Sequence, residues 1–97
     1  MTKCETAICQ LAVNVYGKTS QCTVCMEEMA ELTKEFSKNL RGQDNAAHIA
    51  EEIADVEIML EQLKLMFSIR DEVTQQRTVK LQRLDNRISQ SLIHPKP

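Results

Sequence analysis

Ninety-seven residues carrying a net charge of −2, with 42% hydrophobic side chains, make one domain (1–97) with a modest core. A near-neutral chain has no electrostatic pull toward a nucleic-acid polymer, and no apolar run approaches the ~20 residues that span a bilayer. The first twenty residues lack a basic start, a long apolar centre and a small-residue cleavage site, so no secretory signal is expected and the expected compartment is the cytoplasm.

Glycine and proline occur only at Gly17, Gly42, Pro95 and Pro97, and strand-like alternation is weak and confined to 11–16. Helix formers fill the remainder, which predicts an all-α bundle of about four helices. The first helix is expected near 4–15 and ends at YGKTS, so that 1–18 form a helix and a turn. A helical hairpin is expected over 19–68. Its first arm, about 19–40, has Thr19 or Ser20 as N-cap and Gly42 just past its end. Its second arm, about 45–68, has Asp44 as N-cap. A C-terminal helix is expected over 70–91 and stops before HPKP, where proline cannot continue it.

Cys4, Cys9, Cys22 and Cys25 have a spacing compatible with a zinc site. Cys22 and Cys25 also join Met29, Leu32 and Phe36 in one apolar helical stripe, where free cysteine acts as a small buried hydrophobe. Structural thiols are therefore the expectation, and a disulfide is disfavoured in a reducing compartment.

Two acidic pairs carry the chemistry: Glu28-x-x-Glu31 on the first arm and Glu52-x-x-Asp55 on the second, separated by a turn at RGQD. Residues three apart lie on one side of a helix, so antiparallel arms let all four carboxylates converge. Convergent carboxylates repel unless a cation sits between them. Oxygen ligands of this kind suit Mg²⁺ or Mn²⁺, and Mg²⁺ favours a few carboxylates together with substrate phosphates. On the second arm Ile49, Ile53, Val56, Leu60, Leu63 and Phe67 form a continuous stripe, widened by Met59 and Met66 on the side that carries Glu52 and Asp55. Ile58 and Leu65 lie opposite. A helix apolar on two faces needs two partners, which places this arm at the centre of a bundle or at a subunit interface. The competing reading of Glu28, Glu31 and Glu35 is a solvated row with lysine neighbours.

EEMAEL followed by EEIADVEIML resembles the MazG-like nucleoside triphosphate pyrophosphohydrolases, whose signature is E-x-x-E, a spacer, then E-x-x-D. The resemblance covers about residues 16–68, and KLQRLDNRI looks like the C-terminal helix of short phage-type and Gram-positive members. It implies an all-α bundle completed by oligomerisation, as a dimer or, slightly favoured, a tetramer. It also implies hydrolysis of the α–β phosphoanhydride of a nucleoside triphosphate to a monophosphate and pyrophosphate, as house-cleaning of the nucleotide pool. Glu28, Glu31, Glu52 and Asp55 then become the catalytic ligands of Mg²⁺, with Mn²⁺ as a substitute. Lys80, Arg83 and Arg87, at i, i+3 and i+7 beside Val73, Leu81, Leu84 and Ile88, are the candidate phosphate-binding residues; a solvated basic face is the alternative. His48 and Gln21 are weaker site candidates, Tyr16 is a candidate stacking partner for a base, and Phe67 is expected in the core. The main rival to an enzyme is a non-catalytic helical oligomerisation or interaction module. A di-iron bundle is disfavoured because Glu-x-x-His is absent.

Overall fold

The computed structural model describes residues 1–93; the HPKP segment lies outside them. Four helices follow in order: α1 (Lys3–Tyr16), α2 (Lys18–Leu40), α3 (Ala46–Met66) and α4 (Arg70–Ile93). Among the described residues there is no strand, and no helix is long and apolar enough to cross a membrane.

Helix ends follow from local chemistry. α1 opens on a capping box: the Glu5 backbone N–H donates to Thr2 Oγ1 at 3.1 Å, and the Thr2 backbone N–H donates to Glu5 Oε1 at 2.8 Å. Gly17, at φ 89°, is at once the C-cap of α1 and the N-cap of α2. One residue with positive φ makes the whole corner, which only glycine does without strain. Thr19 and Ser20 therefore lie inside α2 and do not cap it, contrary to the sequence expectation. α2 ends in a Schellman motif: Gly42, at φ 99°, donates to the Asn39 carbonyl, and Gln43 donates to that of Lys38. α3 ends in the same motif, with Ile69 donating to Lys64 and Ser68 to Leu65. There the left-handed position, φ 53°, is filled by Ser68 instead of glycine.

The N-cap of α3 is Asn45, not Asp44, and its side chain does not cap the helix. It reaches back across the turn, where Asn45 Nδ2 donates to the Glu35 carbonyl (2.9 Å) and to Glu35 Oε2 (2.6 Å). Asn39 Nδ2 donates to Asn45 Oδ1 at 3.2 Å. Both Glu35 and Asn45 are buried. The Asn45 amide is the chief reason that the Glu35 carboxyl is held below its usual pKa, with Lys38 contributing next among the lowering groups. This latch fixes the register of α2 against α3. Asn45→Ala removes two bonds to buried acceptors, and a drop of roughly 5–10 °C in the thermal midpoint is expected, read by circular dichroism.

α3 is the central element: it packs on α1, α2 and α4, whereas α4 meets α3 alone. Its buried line differs from the predicted stripe. Met59 and Gln62 are buried and Met66 is half-buried, while Ile53, Leu60 and Phe67 are exposed. Phe67 was expected in the core; instead it lies 4.4 Å beneath the Lys18 ammonium. The predicted α2 stripe is likewise only partly covered, with Cys25 buried and Met29 and Phe36 about half exposed.

Glu61 ties the helices together. Its carboxylate, 4% exposed, is paired with Arg70 at the start of α4, lies 3.8 Å from Lys64 Nζ and accepts a bond from Thr6 Oγ1 of α1 at 3.4 Å. The Arg70 guanidinium is the main cause holding its pKa below the usual carboxylate value. Beyond this anchor α4 projects freely, and none of its residues is buried. The radius of gyration is 17.1 Å, against about 12.5 Å for a compact chain of this length.

Candidate metal centre

The register set by the Asn45–Glu35 latch brings Glu28 of α2 opposite Glu52 and Asp55 of α3. One carboxylate oxygen from each of the three lies within 4.8 Å of the others. Glu28 and Glu52 are half-buried and Asp55 is exposed, so the group sits at the rim of the α2–α3 seam with one side open to solvent.

Electrostatics mark this as a strained arrangement. Burial first, then the negative charges of Asp55 and Glu52, push the Glu28 carboxyl above its ordinary pKa. Glu52 Oε2 is buried and has no hydrogen-bond partner. A buried carboxylate oxygen is costly unless paired or coordinated. Among the described residues no lysine or arginine forms an ion pair with Glu28, Glu52 or Asp55. Three hard oxygen donors, from a group that includes a carboxylate with an unpartnered oxygen, fit a small divalent cation such as Mg²⁺ or Mn²⁺. No other set of three or more His, Cys, Asp or Glu side chains converges in this way among the described residues.

The other sequence candidates are placed differently. Glu31 is exposed and stands outside the three-carboxylate group. His48 is exposed, and its charge helps lower the Glu35 pKa. Gln21 is buried in α2, and Tyr16 is exposed on α1. The four cysteines are free and not gathered: Cys4 is exposed, Cys9 donates weakly to the Ile58 carbonyl at 3.9 Å, and Cys22 and Cys25 lie on α2. A four-thiolate zinc site is thereby excluded for this conformation. Lys80, Arg83 and Arg87 are exposed on α4. Lys80 and Arg87 border a groove floored by Ile69, Val73, Leu81 and Leu84.

Asn45 and Glu35, which fix the register, were not among the sequence candidates. An asparagine just after a glycine turn was the available signal, but such residues usually bond locally, and nothing in the pattern named Glu35 as its partner. Comparison of the chain with protein-family models, with curated proteins and with solved structures gives no match.

Proposed function

We propose that the chain is a Mg²⁺-dependent nucleotide pyrophosphohydrolase of the cytoplasm. It cleaves the α–β phosphoanhydride of (deoxy)nucleoside triphosphates to a monophosphate and pyrophosphate and so clears unwanted nucleotides. The observation that carries this reading is the convergence of Glu28, Glu52 and Asp55, together with the buried, unpartnered Oε2 of Glu52. The resemblance to MazG-like enzymes supplies the reaction.

Glu28, Glu52 and Asp55 hold the cation, and Glu31, on the solvent side of α2, is the fourth carboxylate of the proposed set. When bound, the ion supplies neutralisation of phosphate charge and activation of water. One carboxylate of this set also orients the attacking water and accepts its proton. Lys80, Arg83 and Arg87 bind the phosphates.

These basic groups come from a second copy. Residues 1–69 contain six Lys or Arg and eleven Asp or Glu, whereas α4 contains five and three. A basic arm with an uncovered stripe of Leu81, Leu84, Ile88 and Leu92 complements an acidic body. The proposed assembly is a homo-oligomer, a tetramer in preference to a dimer. The same uncovered stripe favours the second reading, a non-catalytic interaction module.

A nucleotide panel incubated with Mg²⁺ and scored for both phosphate products tests the reading. Pyrophosphate release from at least one nucleoside triphosphate is expected. Orthophosphate as the product rejects the proposed bond, and silence across the panel leaves the interaction module standing.

A further inference from the structure

The sulfur atoms of the α2–α3 seam have no part in the proposed hydrolysis, yet they are arranged in pairs. Cys22 Sγ of α2 lies 3.9 Å from Met66 Sδ of α3, and Cys25 Sγ lies 3.9 Å from Met29 Sδ. Cys22, Cys25 and Met29 follow at i, i+3 and i+7 on one side of α2. The two thiols are one turn apart, with Cβ atoms expected about 5–6 Å from each other. Cys25 is buried at 3% exposure, Cys22 and Met66 are half-buried, and Met29 is 49% exposed. The group therefore has a closed floor and an open mouth.

We propose that Cys22, Cys25, Met29 and Met66 form a binding site for a soft monovalent cation of the Cu(I) class, separate from the carboxylate centre. Donor chemistry selects the ion. Thiolate and thioether sulfur prefer Cu(I), while Mg²⁺ and Mn²⁺ take oxygen. Zinc structural sites use four thiolate or imidazole donors, and only two of these sulfurs become thiolates. Distance agrees within each pair: two sulfurs each about 2.3 Å from one ion in a trigonal arrangement stand about 4 Å apart, close to the Cys22–Met66 and Cys25–Met29 separations. Loading releases the two thiol protons to solvent and leaves two thiolates and two neutral thioethers around one positive charge. Met29, at the mouth, admits the ion, and Met66 ties it to α3.

The test is an anaerobic Cu(I) competition titration against a coloured Cu(I) chelator, using the full chain with Cys4→Ser and Cys9→Ser to remove the other two thiols. One Cu(I) per chain taken from the chelator is the expected result, with X-ray absorption showing only sulfur near the metal. Adding Cys22→Ala, at a half-buried position, should abolish the competition. Met66→Leu, which keeps volume and shape, should weaken it at least tenfold. Competition undiminished by Cys22→Ala, or equal in Met66→Leu and its parent, overturns the site. Nucleotide turnover with Mg²⁺ is read separately, so failure here does not touch the proposed hydrolysis.

Discussion

Glu52→Gln should cut Mg²⁺-dependent turnover by orders of magnitude and at the same time make the metal-free protein more heat-stable. The two effects have one origin. Glu52 belongs to a group of three carboxylates whose oxygens lie within 4.8 Å of one another, and its Oε2 is buried without a hydrogen-bond partner. Removing its charge relieves repulsion in the empty seam, which raises the midpoint. It also removes a ligand, and electrostatic stabilisation by a bound metal amounts to several kcal/mol, so turnover should fall about 10²–10³-fold or more. Stabilisation by added Mg²⁺, which follows the logarithm of metal concentration over Kd, should vanish with it. Differential scanning fluorimetry with and without Mg²⁺, beside a pyrophosphate assay, reads all three. Acid should act in the same sense. The folded pKa of Glu28 is raised, so protonated Glu28 favours the folded metal-free state at low pH, and that contribution is lost as pH rises through the raised pKa. Metal affinity runs the other way and falls as Glu28 takes up its proton.

Mixing two inactive variants should restore activity. Glu52→Gln damages the carboxylate centre, and the triple variant Lys80→Ala, Arg83→Ala, Arg87→Ala damages the basic arm. α4 is joined to its own body through the Glu61–Arg70 pair and contacts only α3, so its far half stands clear of the three-helix body. If the arm acts on a second copy, a mixed pair contains one intact site, made of carboxylates from one chain and cations from the other. After subunit exchange at equal concentrations, about a quarter of wild-type activity should return in a dimer built on a twofold axis. No recovery, with exchange confirmed by native mass spectrometry, would place the arm and the carboxylates of each site on one chain.

Much of the architecture was legible because glycine is scarce and informative. Gly17 and Gly42 sit at two of the three corners with positive φ, and the helices between them follow from composition. The α3–α4 corner carried a weaker signal because Ser68 occupies the left-handed position. The convergence of Glu28 with Glu52 and Asp55 was legible from helical spacing and a short turn. Spacing alone does not say which carboxylates meet: Glu31 is exposed and stands outside the group, while Glu52 and Asp55, at the same i, i+3 spacing on α3, both join it. Opposing residues on α3 still reach Glu28 because they face it across the seam. The buried line of α3 was misread for a related reason. Hydrophobic periodicity selects Ile53, Leu60 and Phe67, whereas the packed line includes Gln62, and Glu61 is buried beside it. Polar residues buried by pairing are invisible to a hydrophobic pattern, and so are their partners. The Asn45–Glu35 and Glu61–Arg70 contacts join residues ten and nine positions apart around a turn. Spacing on a single helix does not encode such pairs.

The proposed function stands or falls on whether Glu28, Glu52 and Asp55 together hold a divalent cation. Mn²⁺ titration followed by electron paramagnetic resonance addresses it without any assumption about substrate. The sharp signal of free aqueous Mn²⁺ should stay suppressed while metal is added to wild-type protein and should appear from the first addition with Glu52→Gln. A wild-type titration in which the free signal grows in proportion to added Mn²⁺ from the start would mean that the three carboxylates hold no such ion.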